Sequence, residues 1–319
     1  MCASRALDAV AAALRAVPGV AVSTDVSISD LTTYRLGGPA AVLARVRTEA
    51  GLLETGAVTR AHGVPVLVVG RGSNLLVADR GFAGVVVVLE GELGDLAFAR
   101  DEVRAGGAVA LPRLARQTAA AGLTGLEFYV GIPGTVGGAV RMNAGGHGRE
   151  TREVLLGATC VGLLTGDGPE WHEVGALQLG YRRSALGPGD VVVTATFAVA
   201  PDDPDACRAR IDEIVQWRRE HQPGGANAGS VFRNPPGDSA GRLIESCGLK
   251  GFRVGGAVVS PKHANFFQAE AGATADDVHA LVGEVRRRVE TATGVRLHPE
   301  LLMVGFDEDD EPACEGGST

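Results

Sequence analysis

Residues 129–148, YVGIPGTVGGAVRMNAGGHG, form the stretch that decides how this chain folds and what it can hold. Fixing so many glycines costs more backbone entropy than usual, so a purely structural loop seldom contains them at this density. Backbone packed against a large flat ligand explains the density better, and the stretch predicts a cofactor site. Its seven glycines are Gly131, Gly134, Gly137, Gly138, Gly145, Gly146 and Gly148.

A second glycine-containing stretch lies upstream, at residues 66–81, and reads VLVVGRGSNLLVADRG. Gly70 and Gly72 follow an apolar run, and Ser73 and Asn74 come next. Glycines let backbone N–H groups converge on an anion, and the two polar side chains add donors. No G-x-G-x-x-G opens a helix here, which excludes the dinucleotide fingerprint. At this level a phosphate-binding nest and a tight turn after a strand both stay open, and the turn is the more common.

Composition and charge exclude several classes of protein. The 319 residues are 45% hydrophobic and 21% charged, and 30 basic against 38 acidic side chains give a net charge of −8. No clustered basic face suits nucleic acid, and no apolar run approaches the roughly 20 residues that span a bilayer. The N-terminus lacks a signal-peptide pattern. Five widely spaced cysteines without a C-x-x-C argue against disulfides or a metal site. We therefore expect a cytoplasmic protein that binds no nucleic acid, membrane or metal.

Hydrophobic periodicity predicts an α+β chain. Helices are predicted over residues 5–16, 48–62, 111–122, just after 205, and 275–292. Thr274 with Asp277 resembles a capping box at the start of the last helix, and Gly294 suits its end. Continuous apolar runs at 66–70, 84–89 and 191–199 predict strands, and the first two are typical of strands buried on both faces.

A domain boundary is predicted at PDDPD, residues 201–205, because proline and aspartate punctuate the chain there. Residues 1–200, with a core of about 30–200, then form one region of two lobes, and residues 203–306 form a second α+β domain. The acidic, glycine-rich tail at 307–319 is predicted to be disordered.

Seven segments, in one order along nearly the whole chain, carry a resemblance to a known family. They are TTYRLGGPA (32–40), GRGSN (70–74), GLEFYVGIPGTVGGAVRMNAGGHG (125–148), GYRRS (180–184), AGSVFRNP (228–235), AGRLIESCGLKGFRVGGAVVSPKHANF (240–266) and GVRLHPELLMVG (294–305). Together they resemble the UDP-N-acetylenolpyruvoylglucosamine reductases, also called UDP-N-acetylmuramate dehydrogenases. Several motifs in a fixed order are far more specific than any one of them.

The resemblance implies the FAD-binding fold shared with vanillyl-alcohol oxidase and p-cresol methylhydroxylase (PCMH), followed by a C-terminal α+β substrate-binding domain. It also implies non-covalent FAD, with NADPH as co-substrate, and reduction of an enolpyruvyl ether on a UDP-sugar to a lactyl ether. The cofactor contacts carried over are Gly70, Gly72, Ser73, Asn74, Gly131, Ile132, Pro133, Gly134, Thr135, Gly137, Gly138, Asn143, Gly145 and Gly148.

The same resemblance implies three catalytic residues. Hydride addition at C3 of the enolpyruvyl group builds charge on C2 and its carboxylate, so the site needs a cation and a proton donor. By resemblance Ser230 is the proton donor, Arg182 contacts the carboxylate and Glu300 completes the site. From the residues alone, a turn serine, a surface arginine and an exposed glutamate stay open. Substrate contacts carried over are Tyr181, Arg233, Asn234 and His263.

The chain departs from the family pattern at a few positions. His147 stands where tyrosine is common, His221 where lysine is common and Ala269 where asparagine is frequent. A neutral imidazole at His221 weakens one expected phosphate contact. The short interval from Tyr181 to Ser230 resembles the branch without a long tyrosine-bearing substrate loop.

Four functions remain in view. The sequence predicts reduction of UDP-N-acetylglucosamine enolpyruvate to UDP-N-acetylmuramate in peptidoglycan precursor synthesis. The alternatives are a paralogous FAD reductase acting on a different enolpyruvyl nucleotide or sugar, a flavoprotein oxidase, and a binding module without activity. The sequence leaves the oligomeric state open.

Overall fold

The computed structural model describes residues 2–306, with side chains from residue 5 onward. The acidic tail at 307–319, predicted to be disordered, lies outside the described residues. Helices within them are α1 (Cys2–Arg15), α2 (Glu49–His62), α3 (Leu111–Ala120), α4 (Val136–Met142), α5 (Pro204–His221), α6 (Ala240–Ser246) and α7 (Ala275–Thr293). Short 3-10 turns lie at Ile28–Leu31, Gly91–Gly94, Glu127–Gly131 and Thr151–Glu153.

Strands alternate with these helices, so the α+β prediction is confirmed. They are β1 (Val20–Ser27), β2 (Pro39–Val46), β3 (Val66–Val68), β4 (Leu75–Val77), β5 (Phe82–Leu89), β6 (Leu96–Phe98), β7 (Glu102–Gly106), β8 (Leu123–Thr124), β9 (Gly145–Gly146), β10 (Arg149–Glu150), β11 (Leu155–Gly162), β12 (Glu170–Glu173), β13 (Asp190–Ala198), β14 (Ala200–Pro201), β15 (Arg253–Val254), β16 (Ala257–Val259), β17 (Phe267–Ala269) and β18 (Leu302–Val304).

The long helix α7 has both predicted end signals. Thr274 Oγ1 accepts a hydrogen bond from the Asp277 backbone N–H at 3.0 Å, and the Asp277 carboxylate accepts one from the Thr274 N–H at 3.1 Å. This is the predicted capping box, which satisfies N–H groups that a helix start leaves without partners. Gly294 ends the helix with φ +71, a left-handed conformation that glycine adopts without steric cost.

Two compact units emerge from the contacts between residues. Unit 1 contains Met1–Val26, Ala40–Arg71 and Ala83–Glu220, and unit 2 contains Ser27–Pro39, Gly72–Phe82 and His221–Thr319. Segments from the first hundred residues therefore belong to each unit. The predicted division at residues 201–203 stays a prediction.

Unit 1 is built on two sheets. The first has strand order β1-β2-β5-β3, and the second is antiparallel with order β12-β11-β13-β7-β6. Two separate hydrophobic clusters accompany them, one around Val42, Val85 and Leu52, the other around Leu114, Tyr129 and Phe197.

Only one of the two strands predicted to be buried on both faces has that burial. Residues 84–88 of the inner strand β5 are all buried, as predicted. The prediction was wrong for β3, in which Val66, Leu67 and Val68 are each only partly buried. The physical reason is its place at the edge of the first sheet, where it pairs only with β5, in parallel.

The predicted linker is tied to unit 1. Residues Ala200–Pro201 form β14 and pair with β8, and α5 begins at Pro204. Arg210 of α5 donates to Asp202 at 2.6 Å and to the buried Glu127 at 2.9 Å. Glu127 opens the 3-10 turn that runs into the glycine-rich motif, so this ion network joins α5 to that motif.

Unit 2 packs its own core around α7. The three-stranded sheet β15-β16-β17 and the parallel pair β18–β4 belong to it. Asp79, just after β4, accepts hydrogen bonds from the N–H groups of Ala275 and Asp276 at 3.1 and 3.0 Å. The stretch that follows GRGSN is thereby fastened to the first turn of α7.

Candidate active site

The glycine-rich motif forms a turn, a short helix and a hairpin within unit 1. The 3-10 turn Glu127–Gly131 leads to Thr135, whose Oγ1 accepts a hydrogen bond from the Gly138 N–H at 3.3 Å and starts α4. Asn143 ends α4 with φ +41. β9 and β10 then pair across His147 and Gly148, both of which have positive φ. The motif is thus one continuous framework.

Several glycines of the site are required by the protein itself. A Cβ added at Gly70 would lie 2.5 Å from Thr135 Oγ1, and one at Gly131 would lie 3.1 Å from the His147 ring. At Gly145 it would lie 2.7 Å from the Arg149 carbonyl oxygen. At Gly70 and Gly145 two stretches of chain come too close for a side chain, which explains glycine without a ligand, whereas at Gly131 a shift of the exposed His147 ring would make room.

Gly138 and Gly146 differ from those positions. A Cβ at Gly138 would meet nothing nearer than Thr135 Oγ1 at 3.6 Å, and one at Gly146 nothing nearer than Ile132 at 3.7 Å. Neither has a left-handed φ. The protein therefore has room for a side chain at both, so contacts within the protein do not explain these two glycines. This is the observation by which the motif fits a flat cofactor such as FAD.

Gly72 and Asn74 of the GRGSN stretch are held within unit 2. Gly72 has φ +54, and a Cβ there would overlap the Leu31 carbonyl oxygen. The Asn74 amide Nδ2 donates to the Glu300 carbonyl oxygen at 2.9 Å, and the Leu302 N–H donates to the Asn74 carbonyl at 3.0 Å. Asn74 thus holds the chain around Glu300, while the predicted cofactor contacts of this stretch stay predictions.

Unit 2 brings Ser230 and Glu300 together. The Glu300 N–H donates to the carbonyl oxygen of Val231, the residue after Ser230, at 2.8 Å. Phe232 forms an isolated antiparallel bridge with Pro299, and Ser230 forms one with Phe266. Both catalytic candidates of this unit are partly exposed. Two motifs about 70 residues apart, AGSVFRNP and LHPE, are therefore joined through their backbones within unit 2.

Asn265 fixes the serine segment, a role that sequence reasoning missed. Its Oδ1 accepts from the Phe232 N–H at 3.0 Å, its Nδ2 donates to the Phe232 carbonyl at 2.8 Å, and its own carbonyl accepts from Val231 N–H. The buried Asn265 side chain thus makes the two backbone hydrogen bonds to Phe232 that a neighbouring strand would otherwise make. The signal was its place directly after HA in the KHANF segment, within a predicted motif.

The predicted substrate contacts Arg233, Asn234 and His263 also lie in unit 2. The Arg233 Nε is buried and has no hydrogen-bond partner within the described part of the chain. Asn234 Oδ1 accepts from the Ala240 N–H at 3.1 Å, next to the start of α6. His263 Nδ1 accepts from the Asn265 N–H at 3.3 Å, so its proton is on Nε2 when the ring is neutral. Burial lowers the pKa of His263.

Tyr181 and Arg182 lie on a tight turn in unit 1. Gly180 and Arg183 bond each other's backbones at 3.0 and 3.2 Å. Arg182 has φ +54, a left-handed conformation that costs a non-glycine residue about 1–2 kcal/mol. Its guanidinium lies 5.1 Å from the centre of the Tyr181 ring, and its Nη2 donates to the Gly145 carbonyl at 3.3 Å. The turn thus presents a cation beside the glycine-rich motif.

His147 contacts an aromatic side chain of α5. Its ring meets Trp217 edge-on, with ring centres 5.0 Å apart. Burial and the nearby Arg218 lower the pKa of His147, which favours the neutral ring. His147 is exposed, and Trp217 is 45% exposed.

Between residues 2 and 306 no three or more His, Cys, Asp or Glu side chains are grouped so that they could hold a metal ion. In the same residues, no helix has both the length and the apolar character that crossing a membrane requires.

Comparison with known proteins identifies the class and then the family. Residues 40–168 match the FAD binding domain, so the first region is that of a flavoprotein oxidoreductase. Residues 221–304 match the C-terminal domain of UDP-N-acetylenolpyruvoylglucosamine reductase. The chain belongs to the UDP-N-acetylenolpyruvoylglucosamine reductase family, as the resemblance implied.

Individual relatives agree along most of the chain. The reductase of Syntrophotalea carbinolica is 43% identical over 87% of this chain and 92% of its own. That of Rubrobacter xylanophilus is 43% identical over 89% and 96%. The crystal structure of the Thermus caldophilus reductase is similar, with a TM-score of 0.76 and 37% identity over 89% of this chain and 98% of that one. The predicted FAD-binding fold of the PCMH type is confirmed.

Proposed function

We propose that this protein reduces UDP-N-acetylglucosamine enolpyruvate to UDP-N-acetylmuramate with NADPH, using bound FAD, and so supplies a precursor of peptidoglycan. The geometry that carries the proposal is the hydrogen bond from the Glu300 N–H to the Val231 carbonyl, which holds the backbone of Glu300 next to the chain segment that contains Ser230. Relatives that cover most of the chain and are named for this reaction support it. The turn at Tyr181–Arg182 supports it with a cation.

The residues that would hold FAD are in the glycine-rich motif. Gly138 and Gly146 leave backbone that FAD could approach closely. Thr135 fixes the start of α4 through its bond to the Gly138 N–H, and it also lies next to Gly70. Bound FAD would supply the redox chemistry that protein side chains lack, by passing a hydride from NADPH to the substrate. Gly70, Gly131 and Gly145 keep the framework of this motif compact, as their close neighbours require.

Each of the three catalytic candidates has one task. The Ser230 hydroxyl gives a proton to C2 of the enolpyruvyl group after a hydride reaches C3. A serine hydroxyl is a weak acid, and its placement next to the basic C2 compensates for this. The Arg182 guanidinium offsets charge that develops on the substrate carboxylate. At roughly 4 Å and an effective dielectric near 20, such a pair gains about 4 kcal/mol before desolvation. The Glu300 carboxyl, in its protonated form, would donate a hydrogen bond to the developing enolate.

Arg233 is the residue we assign to an anionic part of the substrate. A buried donor without a partner costs about 1–3 kcal/mol, more for a charged group, unless a ligand meets it. The Nε of Arg233 is such a donor within residues 5–306. Tyr181, Asn234 and His263 are proposed as further substrate contacts, and His221 as the weakened phosphate contact.

The test is anaerobic and uses the purified protein loaded with FAD. NADPH should bleach the flavin absorbance, and UDP-N-acetylglucosamine enolpyruvate should restore it with formation of UDP-N-acetylmuramate. A different enolpyruvyl nucleotide that restores the absorbance much faster would favour the paralogous reductase. In a separate aerobic assay, rapid oxygen consumption with an alcohol substrate would favour an oxidase. A protein that cannot be loaded with FAD would leave a binding module.

Location and partners belong to the same proposal. A nucleotide-sugar substrate, NADPH and the unpaired thiols of Cys160, Cys207 and Cys247 suit the cytoplasm. The net charge of −8 argues against a nucleic-acid or anionic membrane partner. Cell fractionation, followed by detection of the chain with an antibody, would test the location.

A further inference from the structure

Asn143 belongs to the glycine-rich motif and connects it to the turn that carries Arg182. The residue is 0% exposed, so it offers no surface to a cofactor. Its Nδ2 donates to the Gly180 carbonyl at 2.9 Å and to Glu150 Oε2 at 3.1 Å. Its Oδ1 accepts from the Arg152 N–H at 2.9 Å. The amide is thus engaged by the protein at both ends, and its predicted direct contact with FAD lacks support.

The bond to Gly180 reaches the base of the turn that presents Arg182. Gly180 and Arg183 close this turn through two backbone hydrogen bonds, at 3.0 and 3.2 Å. Arg182, inside it, has φ +54. An arginine in this conformation persists only when its surroundings over-determine it, and such strain is common at functional sites. Asn143 supplies one of these constraints from outside the turn.

Other bonds fasten the same loop to the last turn of α4. Ser184 Oγ donates to the Arg141 carbonyl at 2.7 Å, and Arg141 Nη1 donates to the Gly187 carbonyl at 2.5 Å. These two bonds attach the loop after Arg182, whereas Asn143 attaches it before Arg182. The chain therefore offers a matched pair of contacts, one on each side of the arginine.

We propose that Asn143 is a positioning residue for Arg182 and acts through the carbonyl of Gly180. The α4 helix, which carries open glycine backbone on its first turn, thereby sets the place of the cation that meets the substrate carboxylate. The proposal rests on the proposed function for the identity of the substrate, and on the described contacts of unit 1 for the mechanism of positioning.

The decisive variant is Asn143→Gly, with Ser184→Ala as its control. Glycine keeps the left-handed backbone at 143 and removes only the side chain. In anaerobic stopped-flow measurements, we expect NADPH to reduce the flavin of Asn143→Gly at the wild-type rate. Reoxidation by UDP-N-acetylglucosamine enolpyruvate should slow by up to about 10²-fold, the loss that a misplacement of about 1 Å can cause. Ser184→Ala should reoxidise like the wild type.

A second variant and a second readout guard against a folding defect. Asn143→Asp has nearly the same volume, suits the left-handed conformation and keeps an acceptor for Arg152 N–H. It loses both donated bonds when ionised and places a second carboxylate next to Glu150 Oε2. It should show the same split between the two half-reactions. In the apoprotein, hydrogen exchange of the peptide over residues 178–186 should quicken in both Asn143 variants, while exchange of β13 stays unchanged.

The outcomes separate the two proposals. Equal slowing of both half-reactions, unchanged reoxidation, or the same loss in Ser184→Ala would overturn the positioning role. A wild-type protein that the enolpyruvyl substrate fails to reoxidise would overturn the proposed function. In that case, unchanged exchange over residues 178–186 in the Asn143 variants would also reject the contact itself, and quickened exchange would uphold it.

Discussion

Ser230 is the residue on which the proposed chemistry depends, because it alone is assigned the proton for C2. Ser230→Ala should leave reduction of the flavin by NADPH intact and slow reoxidation by the enolpyruvyl substrate by about 10²–10⁴-fold, the usual contribution of a positioned proton donor. Stopped-flow absorbance measures both steps separately. Ser246→Ala is the control, since the Ser246 hydroxyl donates to the Leu243 carbonyl of its own helix at 2.8 Å. Wild-type turnover in Ser230→Ala would remove the serine from the mechanism.

Tyr34 and Tyr129 form a matched pair of buried tyrosines, both 0% exposed. Burial raises the pKa of each phenol. The Tyr129 hydroxyl donates to Thr151 Oγ1 at 3.0 Å, whereas that of Tyr34 has no partner within the described residues. Tyr34→Phe should therefore raise the free energy of unfolding by about 1 kcal/mol, and Tyr129→Phe should lower it by a similar amount. Urea denaturation measures both, and a loss in Tyr34→Phe would show that a ligand or water satisfies that hydroxyl.

The sequence predicted residues of the candidate site but not the partners that hold them. Ser230, Arg182 and Glu300 each lie in a short continuous sequence motif, so the resemblance to the family was enough to predict them. Asn265 and Asn143 act on the backbones of Phe232 and Gly180. Those contacts depend on which distant segments become neighbours, and no local pattern of residues encodes that.

At the scale of elements, hydrophobic period and capping chemistry were enough for the long helices. The limits of α7 followed from a capping box and a terminal glycine, because both are local interactions. The burial of strands was harder to predict from the sequence. An apolar run describes β3 and β5 equally well, yet only β5 is an inner strand. Position within a sheet is a property of the pairing order, which one strand's sequence does not contain.

The ion pair between Arg210 of α5 and Glu127 of the 3-10 turn makes a testable contribution to stability. Burial opposes ionisation of Glu127, but hydrogen bonds from Thr124, Gly125 and Arg210 together hold its pKa below the usual value. Arg210→Met leaves a buried carboxylate without its cation. Because Arg210 is 42% exposed, the loss should be below that of a fully buried pair, about 1–2 kcal/mol in the free energy of unfolding.

The pH dependence of that loss has a definite sign. A lowered pKa stabilises the fold above the unfolded pKa, near 4.3 for glutamate, and this contribution is lost as pH falls through the folded pKa. The difference between wild type and Arg210→Met should therefore be full at neutral pH and shrink as Glu127 is protonated. Urea titrations at neutral pH and near pH 4 measure it, and Glu127→Gln/Arg210→Met should recover part of the loss. A difference independent of pH would assign the effect to packing of the arginine stem.

For the whole molecule, the sequence predicted the α+β class and the FAD-binding fold, while the two compact units do not follow the order of the chain. Residues 27–39 and 72–82 belong with residues from 221 onward. The parallel pairing of β4 with β18 shows why, because it joins residues 75–77 to residues 302–304. A linear reading of composition places a boundary where proline and aspartate cluster, and it has no means of detecting pairings across more than 200 residues.

FAD binding adds to the stability of the folded protein, so the two effects have to be measured separately. Alanine substitutions at two glycines, Gly138 and Gly283, distinguish them. Gly138 lies in α4 with room for a Cβ, so Gly138→Ala should stabilise the apoprotein by about 0.5–1 kcal/mol. If FAD lies against that backbone, the same methyl group weakens its binding, and the stabilisation that FAD adds on saturation falls. Gly283→Ala in α7 is the control, because a Cβ at Gly283 would meet nothing within 4 Å.

Melting temperatures with and without FAD test this linkage. Both alanine variants should melt above the wild type as apoproteins. FAD should raise the melting temperature of Gly283→Ala as much as that of the wild type, and that of Gly138→Ala by clearly less. An equal rise in all three proteins would mean that the first turn of α4 does not approach the cofactor, and the open backbone at Gly138 would then need another explanation.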